Sequence, residues 1–205
     1  MELRRLVAGV VSIGVAAAAF AGCSGSGNSR SRATGATVPP GAVTTTVDVA
    51  HVPATIDTAY VQHVMDALDQ VLGDAIRVFV ANKGPNQQFI DLLSAVYDEP
   101  QYSREVADYG RDAARNLQGY STQPGNPVTK VTKIIGATNR CVVLGVNRDF
   151  GPIFTQEPAA NTLPGYIQLR PKSAARDLGR HNPTAWMIVA DGNPAGNQEP
   201  QNPCK

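Results

Sequence analysis

The apolar residues of this chain change their spacing once, at Pro124-Gly125-Asn126-Pro127. Before that point they recur every three or four places, the period of a helix buried on one side. After it they gather in β-branched runs bounded by turn residues, the pattern of strands. A chain that spends its helices first and its strands afterwards cannot wind alternating βαβ units, so the expected class is α+β.

The helical half divides at its breakers. Ile56, Tyr60, Val64, Ala67, Leu68, Val71, Leu72, Ala75, Ile76, Phe79 and Val80 form one stripe. Thr55 is the expected N-cap, Asp57 lies in the first turn, and Gly84-Pro85 stops a helix of roughly 25 residues. Gly73 within it marks a bend or a close approach. Asn86 caps a second helix carrying Phe89, Leu92, Leu93 and Val96. After Pro100, Tyr102, Val106, Tyr109, Ala113 and Leu117 mark a third, with Gly119 at its C-terminal end.

In the strand half, Val128 to Ala137 and Cys141 to Phe150 flank Thr138-Asn139-Arg140 and read as a hairpin. Val142, Leu144, Val146 and Phe150 share one face, and Gly145 on the other marks a bulge or bend. Gly151 to Pro164 reads as a long loop, Tyr166 to Arg170 as a third strand, and Ala185 to Ala190 as a fourth. Ser173 to Gly179 between them reads as a turn or short helical piece. The expectation is three N-terminal helices packed on a curved antiparallel sheet of about four strands. This order of elements, over residues 50 to 190, resembles the cone-shaped fold of the nuclear transport factor 2-like superfamily. The resemblance implies a pocket between the long helix and the sheet, in a superfamily that includes enzymes and binding modules.

The N-terminus supplies an address. Glu2, Arg4 and Arg5 precede an uncharged run from Leu6 to Phe20, followed by Ala21, Gly22 and Cys23. That is the order of an export signal, and the run is shorter than the ~20 residues of a spanning helix. The small pair before Cys23 resembles the lipobox of bacterial lipoproteins, with Phe20 where Leu is usual. The resemblance implies cleavage after residue 22, fatty-acyl (palmitate) lipidation of Cys23, and anchoring at the outer face of the cell membrane. Residues 23–46 then form a lipidated cysteine and a disordered Ser/Gly/Thr/Pro spacer. The α+β domain spans 47–191 and a Pro/Gly/Asn-rich tail 192–205. As a whole the chain looks like a cell-envelope lipoprotein of actinobacteria.

Charge narrows the partners. The chain holds 18 basic and 17 acidic residues, and removal of Arg4, Arg5 and Glu2 with the signal leaves it formally neutral. Nucleic-acid binders carry a basic face, so nucleic acid is not an expected partner. With Cys23 taken by lipid, Cys141 and Cys204 remain for one disulfide in an exported chain.

No His, Cys or Glu spacing describes a metal site, and no phosphate loop or dinucleotide fingerprint calls for a cofactor. No nucleophile elbow occurs. Asp57, Asp66, Asp69 and Asp74 read as the solvated face of the first helix rather than an acid–base pair. Asp108, Arg111, Asp112 and Arg115 read as surface pairs. His51 and His181 read as solvated. The candidates for a pocket are Tyr60, His63 and Trp186, against the competing reading of core aromatics and a surface histidine. The function these features support is a non-enzymatic, lipid-anchored envelope module that binds a partner protein or an apolar small molecule. The alternatives are an accessory subunit of an envelope transport or secretion complex, or a pocket enzyme of the isomerase, cyclase or hydratase kind.

Overall fold

The computed structural model describes residues 47–155, 162–173, 181–192 and 202–204. The signal segment 1–22, Cys23, the spacer to residue 46, residues 174–179 of the expected short piece and most of the tail lie outside the described residues. Helix α1 spans Thr58–Ala81, and its N-cap is Asp57 rather than Thr55: the Asp57 carboxylate accepts from the Tyr60 N–H. Asn86 caps α2 (Gln87–Val96) by accepting from the Phe89 N–H at 2.8 Å, as its position predicts. Helix α3 spans Gln101–Ala114 and ends before Leu117.

Four strands follow: β1 (Val128–Thr138), β2 (Cys141–Asp149), β3 (Thr162–Pro171) and β4 (Trp186–Gly192). A short 3-10 turn, Gly151–Ile153, follows β2. The strands pair antiparallel in the order β1-β2-β3-β4, which gives the α+β architecture expected from the sequence. Strand β3 begins at Thr162, inside the segment read as loop, because its Pro164 stands opposite Asn147 within the ladder. Strand β4 lies at the edge of this sheet, and the backbone after α2 runs beside it, with Tyr97 bridging to Ile188.

The main core lies between the helices and one face of the sheet. Val64, Leu68, Ile76 and Phe79 of α1 and Phe89, Leu93 and Val96 of α2 meet Val142, Leu144, Ile167, Leu169 and Ile188. At ~25 cal/mol per Å2, burial of each such side chain contributes about 2 kcal/mol. The sheet is covered on its second face as well. Val143, Met187 and Val189 alternate to that side and are buried there. On the same face Cys141 is joined to Cys204 with the sulfurs 2.00 Å apart.

Glycines mark two close approaches. A Cβ at Gly73 would stand 2.0 Å from Asn126 Oδ1. Gly73 therefore serves contact rather than bending. A Cβ at Gly145 would meet Lys133 Cγ at 2.9 Å. The register shift between Val131 and Lys133 places the bulge in β1, opposite that glycine.

Candidate functional site

The interior holds a charged cluster where the sequence pattern suggested only solvated acids. Asp69 of α1 is buried, not exposed. Its carboxylate accepts from the Thr129 N–H at 2.6 Å and the Thr129 hydroxyl at 3.0 Å. Arg148 of β2, 4% exposed, donates from Nε to Thr129 Oγ1 and from Nη1 to the Asp191 carboxylate of β4. Its Nη2 lies 3.6 Å from Asp69 Oδ1 and makes no hydrogen bond. Gln101 of α3 extends the cluster, accepting from the Asp191 N–H and donating to Glu105 at 2.7 Å.

Two carboxylates, Asp69 and Asp191, thus flank one guanidinium, and Glu105 joins them through Gln101. Burial pushes Asp69 up to about 6, opposed by Arg148 and by the bonds from Thr129. Burial also raises Asp191 and Glu105. Burial alone would lower Arg148, but Asp191, Tyr97 and Asp69 together hold it above the usual arginine range. The cluster joins α1, α3 and all the strands except β3. Its groups are spent on one another, as buried charges must be.

Of the three proposed pocket residues, two meet and one stands apart. Trp186 Nε1 donates to the Tyr60 hydroxyl at 2.8 Å, and both side chains are buried. His63 is exposed on α1. His51 and His181 are also exposed, but Asn182 beside His181 is buried, donating to the carbonyls of Ala95 and Trp186. The polar turn around His181 is thus partly a core element. Among the described residues no group of three His, Cys, Asp or Glu could hold a metal ion. No helix among them is long and apolar enough to cross a membrane.

A concave site does occur, at the corner where α1 and α3 end. It is an open cavity of about 410 Å3 with Val80, Leu117 and the Tyr120 ring as apolar lining and Lys83, Asn116, Ser121 and Thr122 as polar lining. Such a volume lies within the range of small-molecule sites. The loop 119–122 is held by Ser121 N–H donating to Ile153 O and Thr155 N–H donating to Gly119 O, both at 2.9 Å. The Tyr120 ring packs against Phe79 and Phe154. Its hydroxyl donates to Asp112 at 2.7 Å, and burial followed by that bond holds it above the usual tyrosine range. It is an anchor, not a nucleophile.

The backbone around this cavity is unusual. Among the described residues, the non-glycine positions in left-handed conformation are Lys83, Asn116 and Leu117, each at φ 54°. All three line the cavity. The geometry arises where the helices stop: Gly84 N–H returns to Phe79 O and Leu117 N–H to Asp112 O. Glycine normally occupies such a position, and another residue costs roughly 1 kcal/mol or more. Strain of this kind gathers at ligand sites.

No family model, curated protein or solved structure matches the chain.

Proposed function

We propose that this is a lipid-anchored cell-envelope protein whose α+β domain binds a small molecule in the cavity between the ends of α1 and α3. The observation that carries the binding reading is that cavity: apolar surfaces beside a cation, an amide and two hydroxyls. Among the described residues its lining contains neither a carboxylate nor a histidine to transfer protons, which favours binding over turnover. The pocket-enzyme alternative relied on a pocket acid or His63; His63 is exposed on α1, and the buried acid Asp69 is bonded to Thr129 rather than set on this cavity. The likeness to the cone-shaped superfamily rests on element order, and its pocket between long helix and sheet is not the concavity invoked here. The anchoring part of the proposal rests on residues 1–23.

Two measurements test the two parts. Detergent-phase partitioning should retain the mature chain and lose a Cys23→Ala variant; equal partitioning would sink the anchor. Native mass spectrometry of the mature chain purified from envelopes should show a retained small adduct that Leu117→Asp removes. An adduct indifferent to that change would place binding elsewhere.

A further inference from the structure

We infer that the corner cavity takes a small amphiphile with a single anionic group, a monocarboxylate on a compact apolar body, with Lys83 holding the anion. The inference rests on the reading of the cavity as a binding site and adds the chemical class of its ligand. Among the described residues, Lys83 is the charged side chain of the lining. It is exposed, and its backbone is fixed where the chain leaves α1, with its own N–H on Val80 O and the next N–H on Phe79 O. A lysine there gives up the backbone ease of glycine and places an ammonium at the cavity.

The remaining polar lining suits one carboxylate. The Asn116 amide and the Ser121 and Thr122 hydroxyls all offer donors. Ser121 Oγ already accepts from the Gln123 N–H at 3.2 Å, which leaves its O–H to donate outward. One cation with neutral donors matches a monovalent anion, whereas a phosphate ordinarily gathers several cations or a helix N-terminus. Val80, Leu117 and the Tyr120 ring receive the apolar body.

Two opposing fields need weighing. The C-terminal ends of α1 and α3 carry partial negative charge, and Asp112 is nearby. The Phe79 and Asp112 carbonyls are capped by the Gly84 and Leu117 N–H groups, which reduces the helix contribution. The Asp112 carboxylate is engaged by the Tyr120 hydroxyl. Lys83 is on the lining itself, whereas Asp112 is not.

Three probes of one shape decide the matter: phenylacetate, 2-phenylethanol and 2-phenylethylamine, titrated into the full mature chain by ligand-observed NMR. Phenylacetate should bind about tenfold or more tighter than the alcohol. Lys83→Met, which keeps the apolar stem, should bring the acid down to the alcohol's affinity, and Lys83→Arg should retain the difference. Equal binding of acid and alcohol would overturn the anionic class while leaving a binding cavity in place. Tightest binding by the amine would show that the helix ends and Asp112 prevail, and overturn it too. Failure of all three would remove both the class and the site.

Discussion

Trp186 and Tyr60 are joined by a 2.8 Å hydrogen bond from the indole Nε1 to the phenol oxygen, and that phenol donates onward to the His51 carbonyl at 2.8 Å. The relay connects the last strand, the first helix and the segment that enters the domain. Tyr60→Phe should leave the indole N–H buried without an acceptor, a loss of about 1–3 kcal/mol. Urea unfolding would measure it, and amide exchange should rise around residues 49–52. An unchanged midpoint would mean that water replaces the phenol at no cost.

The charged cluster predicts an uncommon pH response. A folded Asp69 at about 6 against an ordinary 3.8 means that the folded chain holds more protons than the unfolded one between those values. The associated stability is fully present below the unfolded value and is lost as pH rises through about 6. Asp191 and Glu105 are shifted in the same direction. Stability should therefore increase by about 1 kcal/mol from pH 7.5 to pH 5, and Asp69→Asn should flatten that slope. Arg148→Met removes the shared cation and should cost about 3–5 kcal/mol at pH 7.5. A parallel pH profile in Asp69→Asn would assign the response to other groups.

Cys141 and Cys204 close a loop with a sequence separation of 63. Chain entropy for a loop of that size corresponds to about 4 kcal/mol. The double change Cys141→Ser, Cys204→Ser should lower unfolding free energy by that order under oxidising conditions. Under reducing conditions, variant and parent should converge. A persistent difference in reductant would point to packing of the sulfurs instead.

Gly73→Ala sets two effects against each other. Alanine improves helix propensity by about 1 kcal/mol. Its Cβ would, however, stand 2.0 Å from Asn126 Oδ1, the atom that accepts from Arg77 Nη1 at 2.9 Å. Displacing Asn126 also disturbs its donation to Gln70. The clash should prevail, with a net loss of about 1–2 kcal/mol in thermal unfolding; a rise in midpoint would show that Asn126 moves freely.

Much of the fold was legible because periodicity reports burial directly. The single change of spacing at residues 124–127 separated helices from strands, and the Asn86 cap stood where the chemistry required. The cluster was legible too, had the stripes been read without regard to residue type. Arg148 continues the alternation of Val142, Leu144 and Val146, and Asp69 stands four residues after Met65 and three before Leu72 on the α1 stripe. A charged residue in phase with a buried face requires a buried partner. What the pattern could not carry was contact across distance: it set Tyr60 and Trp186 around one pocket, where the structure bonds one directly to the other. The corner cavity was hidden for a related reason: it is built by helix ends that meet only after folding. The left-handed backbone at Lys83, Asn116 and Leu117 has no glycine to announce it.

Gln62 gives the sheet a boundary. Strand β1 lies at the edge of the four-stranded order, where its outward amides would face open space. The Gln62 side chain donates from Nε2 to Thr129 O at 2.7 Å and accepts at Oε1 from the Val131 N–H at 2.8 Å. One carboxamide thereby occupies the two sites that the N–H and C=O of a single residue in a neighbouring parallel strand would occupy. Along this stretch a helix imitates the missing strand, so a second chain cannot lengthen the ladder there without first evicting it. That plug turns an adhesive margin into a finished one.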